Sequence, residues 1–458
     1  MPNIPLGLGD WESPTQNLKR LKLRNMYASP NPMSPDSFSR ISRPTLTTDF
    51  TVGSGPIYQS WSQDGTFNGD ALVVSGTTLY RCNLITAPIS LGSLPGTDIP
   101  KFAEAFGAVF IIRNGILYRT DGTVITIIAV PNAQPVNSIT SINSYLILSL
   151  TNSQLFYWLT PGSVVIGALD FASAERTPDF IVDIQVISDE IWFIGKAGPE
   201  VWSTTGNLTA PFQRINGRVY EEGCHHKDTV SSISVQGIPA LFWVTDTKAV
   251  IKTQGHPTKV SNESVEELLK TSDKLSSWSF RYNRHDFYLI SSPLFTIVYD
   301  ITTNLWSKWD TYLLPYWVAQ TGFQIGSTIR AGDVASNKIY KLSEGVGDDS
   351  LPVVREVAGF LGNSGPAVSC KEVVAYVNSG WSPSYTINPT LELRWSDDLG
   401  ATWSDYISGS LGQRGDYSRS VAYRALGLIK DPGRIFEFRI SDFVRFRLDY
   451  CMMNERIK

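Results

Sequence analysis

The densest cluster of chemistry-bearing residue types is Cys224, His225, His226 and Asp228. Thiolate, imidazole and carboxylate are zinc ligands, but a zinc site needs about four donors converging on one point. Adjacent histidines on a strand point to opposite faces, and no second cluster completes the set. The cluster is therefore read as a polar loop or strand end, with no metal ligand. Only 4 histidines occur and there is no G-x-S-x-G elbow, which leaves little basis for a Ser/His/Asp hydrolase. The pairs Glu221/Glu222 and Asp397/Asp398 are adjacent in sequence, which suits a solvated turn better than the facing carboxylates of a glycosidase. Gly7 and Gly9 fall far short of a phosphate-binding fingerprint. No catalytic residue, metal or cofactor is expected, and the chain reads as a non-enzyme.

One string is more specific: SDDLGATW, with Ser396, Asp398, Gly400, Thr402 and Trp403 at set spacing. Asp398 can accept backbone N–H bonds, Gly400 can take positive φ, and Trp403 can pack back beneath the loop. These residues are read as a structural turn. The string is similar to the Asp box of sialidase-type propellers, where it is a hairpin turn. That enzyme resemblance would imply several boxes, an arginine cluster and a Tyr/Glu nucleophile pair. Here there is one box, beyond the repeating part of the chain.

The elements around these residues are β-strands. Hairpins recur in VVSGTTLYRC, FIIRNGILYRTDGT, LILSLTNSQLFYWL, EIWFIGKAGPEVW, ALFWVTDTKAVIKTQG, DFYLISSPLFTIVYD and RAGDVASNKIYKL. Their second strands carry Tyr80, Tyr118, Phe156, Trp202, Ile251, Tyr299 and Tyr340, about 38 to 49 residues apart, the period of a four-stranded propeller blade. The predicted fold is all-β: a propeller of six or seven blades over 55–345, preceded by an extended segment (1–54) expected to pack with a C-terminal β-sandwich or sheet domain (346–458). One or two sandwiches are the alternative for the repeating region. One helix is expected over 261–275, capped by Ser261 or started at Ser264 with Glu267, with Val265, Leu268 and Leu269 as its apolar stripe.

Composition narrows the function. The chain of 458 residues is 42% hydrophobic, 12% aromatic and only 18% charged, enough to build a large core. A net charge of −4 offers no basic footprint for gripping phosphates. No apolar run approaches the ~20 residues of a membrane helix, and the N-terminus carries no signal-like segment, so assembly in a cytoplasm is expected. The sequons at Asn207 and Asn262 are accordingly discounted. Cys82, Cys224, Cys370 and Cys451 are far apart and are read as free thiols.

From DFASAERTPDFI onward the sequence resembles the packaged-DNA stabilisation proteins, the tail hub or nozzle proteins of short-tailed phages. The strings, in order, are EIWFIGKAGPEVWSTTGN, PFQRINGRVYEEGC, LFWVTDTKAVIKTQGHPTKVSNESVEELL, FYLISSPLFTIVYDITTNLWSKW, SDDLGATWS and YRALGLIKDPGRIFEFRISD, with NMYASP near the start. The segment before the helix, KVSNES, departs from the family pattern. The resemblance implies a virion tail protein forming a homo-oligomeric ring, a hexamer, docked below an adaptor ring. It further implies partner spikes or fibres, a closing plug or needle, and double-stranded DNA passing through the lumen without specific binding. Lumen loops are expected to be neutral to acidic, with the basic stretch Lys19 to Arg24 facing partner proteins. The alternatives are a glycan-binding or sialidase-like tail propeller and a generic protein-interaction propeller.

Overall fold

The run Ala108–Arg113 is apolar up to its last residue, and in the computed structural model all of it is buried. The reason is the period of two. Val109 and Ile111 pack against Leu72 and Val74 of the preceding hairpin, while Phe110 and Ile112 pack against Leu146 and Leu148 of the next. A strand covered on both faces reads as continuous apolar sequence, and each such large side chain contributes roughly 1.5–3 kcal/mol on burial. The structure describes residues 3–7, 9, 21–175, 178–417 and 419–456.

The same logic repeats seven times around a ring. Blade 1 runs from Ile57–Trp61 to Ile89–Ser93, blade 2 from Lys101–Ala105 to Ile125–Ile128, blade 3 from Val136–Ile142 to Phe171–Ser173 and blade 4 from Ile181–Ile187 to Phe212–Val219. Blade 5 runs from Ser231–Val235 to Pro257–Lys259, and blade 6 from Ser276–Tyr282 to Leu305–Lys308. Blade 7 takes Ala319–Ile325, Thr328–Asp333 and Lys338–Ser343, and is completed by Thr45–Thr51 from the start of the chain. All pairings within blades are antiparallel, and every one of the seven marker residues lies on a third strand. Six blades are separate four-stranded sheets; blade 6 is the inner part of a nine-stranded sheet. A hydrophobic core fills each gap between neighbours, including that between blades 7 and 1, where Phe323 and Ile339 meet Ile57 and Val73.

The nine-stranded sheet leaves the propeller through Leu23–Arg24, which pairs in parallel with Leu305–Lys308 and antiparallel with Arg355–Gly362. Beyond lie Gly433–Ile440, Thr390–Ser396 and Ile407–Ser410. A second sheet, in the order Met26–Pro30, Phe38–Ser42, Arg447–Arg456, Val368–Asn378, Arg419–Arg424, packs on it. Val373, Ala375 and Leu448 of one sheet meet Leu393, Phe436 and Phe438 of the other, so the C-terminal part is a β-sandwich. The expected all-β fold of propeller plus sandwich is the observed one.

The helix is shorter than its predicted span, Glu263–Leu269, and its cap is Asn262, whose side chain accepts from the Val265 N–H at 3.0 Å. Ser261, expected as the cap, instead accepts from Val250 N–H and donates to Glu266. Val265 and Leu269 fill the gap between blades 5 and 6, with Leu268 partly buried beside them.

Candidate functional site

First strands of neighbouring blades face the propeller axis, and short polar side chains join them there. Ser60 meets Thr321 at 3.0 Å and Ser231 meets Ser279 at 2.7 Å. At the end where these strands begin the links are charged. Lys101 of blade 2 reaches Asp183 of blade 4 at 3.3 Å and donates to the Lys227 carbonyl at 2.9 Å, while Ser138 of blade 3 donates to Asp183. Lys227 Nζ donates to the Asn137 carbonyl at 2.9 Å, and the Asn137 amide donates to the Val182 carbonyl at 2.8 Å. Asp183 is fully buried, so the network is part of the fold and not a solvated ring of charge. One cavity of about 380 Å³ opens at this end, touching Ile99, Asp228, Ser276 and Gln320 of blades 2, 5, 6 and 7. Its size is that of a small-molecule pocket.

Cys224, His225, His226 and Asp228 sit at the start of blade 5, where His226 Nδ1 lies 3.3 Å from Asp228 Oδ2 while Cys224 and His225 are engaged elsewhere. Cys224 is buried between blades 4 and 5, and burial pushes its thiol up to about 12. His225 lies 3.1 Å from Asp246 and 2.9 Å from Lys248. His226 caps the turn Lys227–Thr229, accepting from the Asp228 N–H. Burial lowers the His226 and Lys227 pKa values and raises that of Asp228, against the pull of Lys101. Among the described residues no group of three or more His, Cys, Asp and Glu side chains is placed to hold a metal ion.

A different constellation has no local signature in the sequence. His285 lies 2.7 Å from Asp300 through Nδ1 and 3.2 Å from the Ser29 hydroxyl through Nε2, the connectivity of a Ser/His/Asp relay. Ser29 comes from 256 residues away, which is why no spacing rule could find it. The surroundings are those of a pin and not of a nucleophile. Ser29 lies in the regular strand Met26–Pro30, not on a strained elbow, and Pro30 has no N–H to offer a developing oxyanion. His285 is buried against Tyr27 and Phe287. The relay ties the N-terminal strand to blade 6.

At 396–403, Asp398 accepts from Ser396 Oγ at 2.7 Å, Thr402 N–H at 2.8 Å and Thr402 Oγ1 at 2.6 Å. The Thr402 hydroxyl and N–H, then Ser396, hold the Asp398 carboxyl down at about 2. Gly400 has φ +96°, and the Arg394 guanidinium lies 4.5 Å over the Trp403 ring. Asp397 is not merely solvated, as its adjacency to Asp398 suggested: it forms a fork with buried Arg434 at 2.6 and 2.8 Å, which no local pattern announces.

A buried latch holds the N-terminal segment. Arg43, fully buried, uses all five of its N–H donors: Nε on Asn25 Oδ1, Nη1 on the Pro44 carbonyl and Asp348 Oδ1, Nη2 on the Asp310 carbonyl and Asp348 Oδ2 at 2.6 Å. Arg355 is buried nearby, and burial together with the Arg43 charge holds its guanidinium down at about 10. Lys22 and Arg24 are neutralised within the chain as well. Lys22 lies 2.6 Å from Glu356, and Arg24 lies 2.5 Å from Asp310 and 3.2 Å from Glu356. This part of the basic stretch therefore does not await a partner protein; Lys19 and Arg20 lie outside the described residues.

Among the described residues no helix is long and apolar enough to cross a membrane. The family model described as Bacteriophage P22 Gp10, beta-propeller, matches residues 2–347. No curated protein matches the sequence. Solved structures similar to the chain include BamB from Moraxella catarrhalis, at 10% identity over 69% of this chain and 94% of that one, TM-score 0.40. Another is YCF48 bound to D1 peptide, at 11% identity over 66% of this chain and all of that one, TM-score 0.41.

Proposed function

The chain belongs to the phage stabilisation family described as Bacteriophage P22 Gp10, beta-propeller, and from that premise we propose that it is the nozzle or hub subunit of a short-tailed phage tail. Membership makes it a structural, non-enzymatic protein associated with a phage tail. On this reading it forms a ring below an adaptor, extends the tube through which DNA is ejected and helps to retain packaged DNA. Assembly takes place in the host cytoplasm, and spikes or fibres and a plug or needle dock on the ring. The propeller supplies stiff walls and the sandwich, with the N-terminal segment, a platform. The Asp398 turn is a structural part of that platform.

The observation that carries the reading furthest is the axial network. With Lys101, Asp183, Asn137 and Lys227 linked across blades, and a cavity of only about 380 Å³ at their end, a duplex has no path through a single propeller. The conduit must then be enclosed between subunits, which favours a ring. The net charge of −4 agrees with passage instead of capture, because lumen cations would pair with a phosphate every ~1.7 Å of duplex. A ring of about six chains of 50.7 kDa has a mass of roughly 300 kDa. Mass measurement of the purified tail tests this: six copies are expected, and one copy or twelve would overturn the ring as stated.

A further inference from the structure

The cavity at the axial end of the propeller is lined by hydrogen-bonding capacity that the chain itself does not use, and Asp228 is the centre of it. Its side chain is only 12% exposed, and Oδ1 is closed off with no hydrogen-bond partner among the described residues. Oδ2 lies 3.3 Å from His226 Nδ1, but that nitrogen accepts the Asp228 N–H and so has no proton to give. The ring proton is then on Nε2. Buried carboxylates are ordinarily hydrogen-bonded, because removal from water without compensation is costly. One that its own chain leaves uncompensated is set to receive a donor from outside.

The charges around the cavity favour neither sign of ligand. Asp273 is held by Lys248 at 3.2 Å. Lys101 and Lys227, whose charges act on Asp228, are engaged by Asp183 and by backbone carbonyls. Asp228 and Lys274 remain at the lining, one carboxylate and one ammonium. A free cation would meet Lys101, Lys227 and Lys274, and a phosphate would meet Asp228 and Asp273. The other polar groups are neutral. Ser276 and Tyr316 bring hydroxyls, and Gln320 spends its Nε2 on the Trp317 carbonyl at 3.4 Å, which leaves Oε1 as an acceptor. Ile99, Leu275, Pro293 and Val334 add an apolar wall.

We propose that this cavity binds a neutral, hydroxyl-rich small molecule, a mono- or disaccharide, with Asp228 Oδ2 accepting a hydrogen bond from one of its hydroxyls. A sugar hydroxyl both donates and accepts, which matches a lining of mixed donors and acceptors without net charge. The C–H faces of the ring match the apolar wall. The volume of about 380 Å³ is that of a compact ligand and not of a chain threaded along the axis. The site lies within one propeller, so it stands or falls independently of how many copies assemble.

Saturation-transfer NMR on the full chain tests this, with neutral mono- and disaccharides as probes and spermidine and inorganic phosphate as charged comparators. The expected result is binding of at least one neutral sugar with a dissociation constant on the order of 1 mM, and weaker or no binding of the comparators. Asp228→Asn removes a desolvated charge at constant shape and is expected to weaken sugar binding about 10-fold, with unchanged circular dichroism. Gln320→Ala, whose side chain makes a single long hydrogen bond, is expected to weaken it about 5-fold and carries the test if Asp228→Asn does not fold. Binding of the same sugar at the end of an oligosaccharide supports the site and identifies a glycan terminus as its source; binding of the free sugar alone supports the site for a soluble ligand. No sugar bound by the wild type overturns the proposal, and so does sugar binding that the folded variants leave unchanged. Preferential binding of spermidine or phosphate overturns the ligand class.

Discussion

Removing the Asp348 carboxylate tests how the N-terminal segment is held. Arg43 and Asp348 are 0% and 6% exposed, and their fork is two charge-assisted bonds in a site closed to water. Asp348→Ala strands two guanidinium N–H groups, at roughly 1.5–3 kcal/mol each, and leaves the Arg43 charge facing Arg355 without its counter-ion. The expected loss is therefore ~3–5 kcal/mol, the range for breaking a buried pair from one side. Replacing both partners, as Arg43→Met with Asp348→Leu, removes the stranded charge but leaves the Pro44 and Asp310 carbonyls and the Leu46 N–H without these bonds, so it should recover part of that loss. Equilibrium unfolding in urea of the wild type, Arg43→Met, Asp348→Leu and the double variant, with Asp348→Ala alongside, gives the coupling energy directly. If the double variant is as unstable as Asp348→Ala, or if Asp348→Ala costs under about 1 kcal/mol, the latch does not hold the segment as argued.

Two further outcomes follow from the pKa shifts. Burial pushes the thiols of Cys82 and Cys224 up to about 12 and that of Cys370 to about 11, and raises that of Cys451, so a thiol reagent at neutral pH should label no cysteine quickly in the native chain and four after denaturation. A single fast-reacting thiol would contradict the burial. The Asp398 carboxyl is held below its ordinary value, so its contribution to stability is present above about pH 4 and is lost as pH falls through about 2. Asp398→Asn should flatten the acid dependence of the turn in that window, followed by NMR of the Thr402 amide; an unchanged profile would refute the assignment.

The propeller was legible because its strands are covered on both faces. That produced runs such as LILSL and ALFWV, and the aromatic or aliphatic marker on each third strand kept the period. The sandwich showed through the alternation of LELRWS and RIFEFRIS, which pair as neighbours in one sheet. What stayed hidden is non-local. Nothing in TLTTDFT says that it completes a blade whose other strands begin at Ala319, and nothing near Arg43 points to a carboxylate 305 residues away. Charged residues were also misread when their partners were distant. Lys22 and Arg24 look like a basic patch in sequence and are internal ion pairs in the fold. The helix cap differs for a local reason: the Ser261 hydroxyl already serves Val250 and Glu266, which leaves Asn262 to meet the open N–H.

The outer strand of blade 7 has a consequence for synthesis. Thr45–Thr51 leaves the ribosome before any blade exists, and its partner Lys338–Ser343 follows about 290 residues later, a wait of roughly 15–60 s at ordinary rates of elongation. Met26–Pro30 and Phe38–Ser42 wait longer, for Arg447–Arg456 at the far end of the chain. Blades 1 to 5 can stack in order as they emerge, but blade 7 is complete only when Lys338–Ser343 meets Thr45–Thr51, and the sandwich only when Arg447–Arg456 meets Phe38–Ser42. A chain released before Lys338–Ser343 would carry open strand edges at both places, and one released between there and Arg447–Arg456 would leave the sandwich edge open.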